Sequence, residues 1–94
     1  MNVVALTIEL RLPGCRSLKE KRSRIKPLIS NIHRHFNVSA AEIDHNDNWQ
    51  SAVIACVIVS NRQGHAQQVL DGIPSWIETR RPDLQVIDEQ IIVF

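Results

Sequence analysis

Between Asn2 and Leu12 the apolar side chains fall on alternate positions. Val4, Leu6, Ile8, Leu10 and Leu12 share one face, and Val3, Ala5, Thr7, Glu9 and Arg11 share the other. A period of two predicts a half-buried strand. The pattern then changes. Ser17-Leu18-Lys19-Glu20 is a capping-box signature, in which Ser17 accepts from the amide of Glu20 and Glu20 reaches back to the amide of Ser17. The helix that it opens carries Leu18, Ile25, Leu28, Ile29, Ile32 and Phe36 in one stripe. Pro27 falls opposite that stripe, where it bends a helix around its core without breaking the packing face. Asn37 is a suitable stop.

Val38 to His45 and Gln50 to Ser60 read as two strands joined by the polar turn Asn46-Asp47-Asn48. The second is apolar on both faces, with Ile54, Cys56 and Ile58 on one and Val53, Val57 and Val59 on the other, as in a central strand. A second helix is predicted from about Arg62 to Arg80, with Ala66, Val69, Leu70, Ile73 and Ile77 on its stripe and a distortion at Pro74. Leu84 to Phe94 closes the chain as a strand. The order βαββαβ predicts one ferredoxin-like α+β domain spanning residues 1–94. Its sheet is antiparallel and four-stranded, with the first and third strands central and both helices on one face.

Composition narrows the class. A chain of 94 residues and 10.7 kDa fits one compact domain, and 44% hydrophobic with 22% charged residues excludes a disordered or collagen-like chain. The longest apolar run, Ala52 to Val59, is far short of the roughly 20 residues of a membrane span, so no membrane role is expected. No basic stretch leads into an apolar signal segment, and Cys15 and Cys56 cannot build a disulfide framework. A cytoplasmic location is the expectation.

Charge adds a feature that the total of +1 conceals. Residues 1–36 hold eight Lys/Arg against two Asp/Glu, whereas residues 37–94 hold three against eight. Arg16, Lys19, Lys21, Arg22, Arg24 and Lys26 crowd the first helix. On a helical wheel Lys19, Arg22, Lys26 and His33 form one row beside the apolar stripe, with Lys21 and Arg24 on the other flank. Such a row suits successive phosphates and acts independently of base sequence. The first helical amides add a further anion-friendly feature. A solvated basic face that only keeps the chain in solution is the plain alternative.

The outward faces of the first and third strands carry no aromatic residue, so the sheet is not a base-stacking platform of the RNA-recognition type. Val3, Ala5 and one side of the third strand instead form an apolar patch that fits self-association. At the hairpin, His45, Asp47, Trp49 and Gln50 bring together an imidazole, a carboxylate, an indole and an amide. Two ligands are too few for a defined metal site, so no metal or cofactor is expected. A structural turn with Trp49 over the core is the stronger reading, ahead of an enzyme or ligand binder using His45, Asp47 and Cys15. His35 and His65 read as surface residues, and Cys56 as an inert core thiol. No phosphate-binding loop, dinucleotide motif or Cys-x-x-Cys pair is present, and no catalytic residue is assigned.

Three segments together carry a resemblance. Ser17-Leu18-Lys19-Glu20-Lys21-Arg22, Phe36-Asn37-Val38-Ser39-Ala40-Ala41-Glu42 and the stretch from His45 to Gln50 resemble the bacterial YlxP-like family, domain of unknown function 503. The similarity spans nearly the whole chain. It implies a small ferredoxin-like domain that tends to associate and has no established enzymatic activity. Some members are encoded beside translation and ribosome-assembly factors, which implies a role near RNA. The expectation is therefore a non-enzymatic factor that contacts RNA or the ribosome through its basic first helix. A homo-oligomeric protein-interaction adaptor, in which the basic and acidic segments pair between subunits, is the alternative.

Overall fold

The computed structural model describes residues 1–44 and 47–94. Its elements are β1 (Asn2–Arg11), α1 (Leu18–His35), β2 (Ser39–Asp44), β3 (Ser51–Ser60), α2 (Gln63–Asp71), α3 (Ile73–Arg80) and β4 (Gln85–Val93). The strands form one antiparallel sheet in the order β2-β3-β1-β4. This is the ferredoxin-like arrangement, with β1 and β3 central as their apolar patterns require.

The register explains the core. Val4, Leu6, Ile8 and Leu10 of β1 lie opposite Ile58, Cys56, Ile54 and Ala52 of β3, and all eight are buried on the helical side. From the helices, Ile25, Leu28 and Ile32 of α1, Ala66 and Leu70 of α2, and Ile73 and Ile77 of α3 complete that core. α1 lies against β2, α2 over β1 and β3, and α3 against β4.

The predicted second helix is two helices. Gly72 ends α2, its N–H directed at Leu70 O and Val69 O, and Pro74 in the first turn of α3 has no N–H to continue the ladder. The apolar stripe survives the break, because Ala66, Leu70, Ile73 and Ile77 remain buried on both sides of it. Pro27 is exposed inside an unbroken α1, as its wheel position predicts.

β4 departs from a simple sandwich. Ile91 and Val93 pair with Leu6 and Val4, which places them on the helical side, yet they are 37% and 45% exposed. The helical layer does not reach the second half of this edge strand. With Ile92 and Phe94, it forms an uncovered apolar margin.

Candidate polyanion-binding face

The basic face begins at a fixed turn. Cys15 N–H donates to Leu12 O at 3.3 Å around Pro13 and Gly14, and Gly14 has φ +74°, a backbone that L side chains rarely adopt. Ser17, extended at φ −160°, then caps α1 by accepting from Glu20 N–H at 3.0 Å. The reciprocal bond is displaced by one residue, since Glu20 Oε2 accepts from Arg16 N–H at 3.1 Å rather than from Ser17. The expectation of anion-receptive amides from Ser17 to Glu20 is narrowed at Glu20. One amide is capped, and the Glu20 carboxylate already sits against the chain there.

The six cations separate into two groups. Arg16, Lys19, Arg22 and Lys26 are exposed, and among the described residues none of them makes an ion pair. With a rise of about 1.5 Å per residue, Lys19, Arg22 and Lys26 climb the helix in steps of roughly 4.5 and 6 Å. Lys21 and Arg24 are withdrawn from this face. The expectation that they add to an outward field is corrected by their partners.

Lys21 is 2% exposed. Its Nζ lies 2.8 Å from Glu42 Oε2 on β2 and donates to Asn48 O at 2.8 Å. Lys21 occupies the 18-21-25-28-32 spacing of the apolar stripe, so its stem crosses the core boundary and its ammonium must find partners. Arg24 turns the other way. It donates from Nη1 to Pro13 O at 3.0 Å, from Nε to Asp83 Oδ2 at 3.2 Å and from Nη2 to Asp83 O. Arg81 grips the same carboxylate, through Nε to Oδ1 at 3.0 Å and Nη2 to Oδ2 at 3.1 Å, and donates to Arg24 O at 3.0 Å. The hydrogen bonds from Arg81 chiefly hold the Asp83 carboxyl below its ordinary 3.8, against a smaller opposing effect of burial. The clamp therefore stays charged until the pH falls well into the acid range.

His33 also leaves the cationic row. Its Nε2 accepts from Ala40 N–H at 3.0 Å, which requires an unprotonated nitrogen there. Beside the row, a cleft of about 440 Å³ is lined by Leu18, Lys21, Arg22, Ile25, Lys26, Ile29, Glu42 and Asp47, so two carboxylates border the basic face.

The hairpin residues have structural work. Gln50 Nε2 donates to Cys15 O at 3.3 Å, Gln50 N–H to Asn48 Oδ1 at 2.9 Å, and Leu12 N–H to Gln50 O at 2.9 Å, which ties the turn to the start of α1. Asp47 is exposed, and His45 lies outside the described residues. Trp49 is 49% exposed and does not roof the core as the sequence suggests. Cys15 is buried, its thiol directed at Ser17 O at 3.5 Å, so it is no accessible nucleophile. Burial pushes the Cys56 thiol up to about 11. Among the described residues, no three His, Cys, Asp or Glu side chains converge to hold a metal ion.

The residue that sequence reasoning missed is His35. It is exposed, as the sequence suggests, but it also stacks on Trp76 of α3. The contact spans 41 positions of chain, and the only local hint was the apolar stripe ending beside it at Phe36.

Two comparisons bear on identity. Residues 3–91 match the model of a family described as "Protein of unknown function (DUF503)". Over 63 residues the chain is 32% identical to "Uncharacterized protein YlxP" of Bacillus subtilis (strain 168), covering 67% of this chain and 68% of that protein.

Proposed function

We propose that this chain, which belongs to the DUF503 family of proteins of unknown function, is a non-enzymatic cytoplasmic factor that binds RNA, free or in the ribosome, through phosphate contacts along α1. The reading rests on one observation: Lys19, Arg22 and Lys26 on α1, and Arg16 just before its N-cap, are exposed and make no ion pair among the described residues, while neighbouring cations are locked into the fold. Lysines and arginines on a rigid helix fix an RNA backbone in register without reading its bases. Among the described residues the outward positions of β1 and β3 carry no aromatic side chain, which supports a reading centred on the helical layer rather than on the sheet.

The test is binding of labelled single-stranded oligoribonucleotides of several scrambled sequences at low salt. Affinities within about threefold of one another are expected, because phosphate contacts carry no sequence information. Failure of all of them to bind would contradict the reading.

A second reading has its own observation. β4 is an edge strand whose Ile91, Ile92, Val93 and Phe94 are 37%, 40%, 45% and 77% exposed, and long apolar edges invite pairing. A homo-oligomeric adaptor joined along β4 would keep its mass at high salt in light scattering. A mass of 10.7 kDa at every salt concentration would sink that adaptor.

A further inference from the structure

We propose that the cleft between the carboxy-terminal end of α1 and α3 binds a nucleotide, its base stacked on the Trp76–His35 shelf and its phosphate taken by Arg34 and Arg80. The cleft holds about 310 Å³ and is lined by Asn31, Arg34, His35, Trp76, Arg80 and Arg81. That volume is at the small end of the range for small-molecule sites, roughly 300–1,000 Å³, and suits one nucleotide.

The shelf is pre-formed. His35 and Trp76 stack with centroids 5.2 Å apart and planes 25° from parallel. Phe36 meets both rings edge-on, at 4.9 Å from His35 and 5.3 Å from Trp76, and both Phe36 and Trp76 pack against the core. A ring so braced loses little freedom when a base settles on it.

Two features distinguish this from a plug that merely closes the core. First, among the described residues three guanidinium groups border the cleft and no carboxylate lines it. Arg81 is held by Asp83 and Arg24 O, but Arg34 and Arg80 are exposed and make no ion pair among the described residues. Like charges gathered around an aromatic surface are stabilised by an arriving anion, and the guanidinium fork matches phosphate oxygens. Arg80 lies 5.8 Å from the indole centroid, near the outer limit of about 6 Å for a cation–π contact, so an incoming base displaces little. Second, Trp76 Nε1 is buried and finds no acceptor among the described residues, whereas a buried indole N–H in a purely structural role usually has one.

This site is separate from the basic row at the other end of α1 and does not depend on it. The test uses a Trp49→Phe chain, in which Trp76 is the only indole. Its fluorescence is titrated with adenosine 5′-monophosphate, with hexa-adenylate RNA and with inorganic phosphate. Saturable quenching by the mononucleotide or the RNA is expected, with phosphate alone leaving the emission unchanged. Adding Arg34→Glu and Arg80→Glu should weaken the binding by about tenfold or more without lowering the melting temperature. Hexa-adenylate binding at least about tenfold tighter than the mononucleotide would identify an unpaired RNA nucleotide as the occupant; the reverse order would identify a free nucleotide. Quenching that persists when Lys19, Arg22 and Lys26 are made Glu separates this site from the basic row. No saturable quenching up to about 10 mM of either nucleotide ligand, or quenching indifferent to the two arginine changes, overturns the proposal.

Discussion

Lys19→Glu, Arg22→Glu and Lys26→Glu together are expected to abolish co-sedimentation with RNA or ribosomes at low salt while leaving the melting temperature within a few degrees of wild type. All three side chains are exposed and, among the described residues, none forms an ion pair, so little of the fold depends on them. The change removes three cations and installs three anions beside the carboxylates of Glu42 and Asp47, turning an attractive face repulsive. Loss of three phosphate contacts alone costs orders of magnitude at low salt, and reversal adds to that loss. A triple variant that still co-sediments would remove α1 from the account.

The largest expected effect on stability belongs to a cation of the same helix that faces inward. Lys21→Met should lower stability by about 2–3 kcal/mol, somewhat less than the usual 3–5 for breaking a buried pair, because the Glu42 side chain keeps 24% of its exposure. In a domain this size that is a fall in melting temperature of about 8–20 °C, read by thermal denaturation. The substitution strands the Glu42 carboxylate and leaves Asn48 O without its donor. Adding Glu42→Gln should recover part of the loss, about 1 kcal/mol or more, since the unpaired charge goes with it. A Lys21→Met protein that melts with wild type would show that the pair is incidental.

These two changes, at neighbouring residues where they come closest, mark where the sequence was readable. Alternation in β1, the two-sided apolar character of β3 and the 3.6-residue stripe of α1 each depend on positions close in the chain, and they placed the sheet order and the core. The fate of Lys21 was half legible. Its spacing from Leu18, Ile25 and Leu28 puts it on the stripe, but its partner Glu42 comes from another strand. Arg24 and Asp83 are 59 positions apart, and nothing local in either segment announces the clamp. The break at Gly72 was foreshadowed by Pro74, whose missing N–H is a local fact, whereas its position at Gly72 follows from how α2 and α3 each settle on the sheet. The exposure of β4 was hidden for another reason. Its apolar residues look like core, and only the extent of the helical layer decides that they are not.

The account turns on whether α1 and the residue before its N-cap meet a polyanion through their exposed cations. The most direct measurement is the affinity of the wild-type chain for a single-stranded oligoribonucleotide across a series of monovalent salt concentrations. With three or four of Arg16, Lys19, Arg22 and Lys26 engaged, log affinity should fall linearly with log salt at a slope of roughly −2 to −3. A slope near zero, or no binding at the lowest salt, would contradict it.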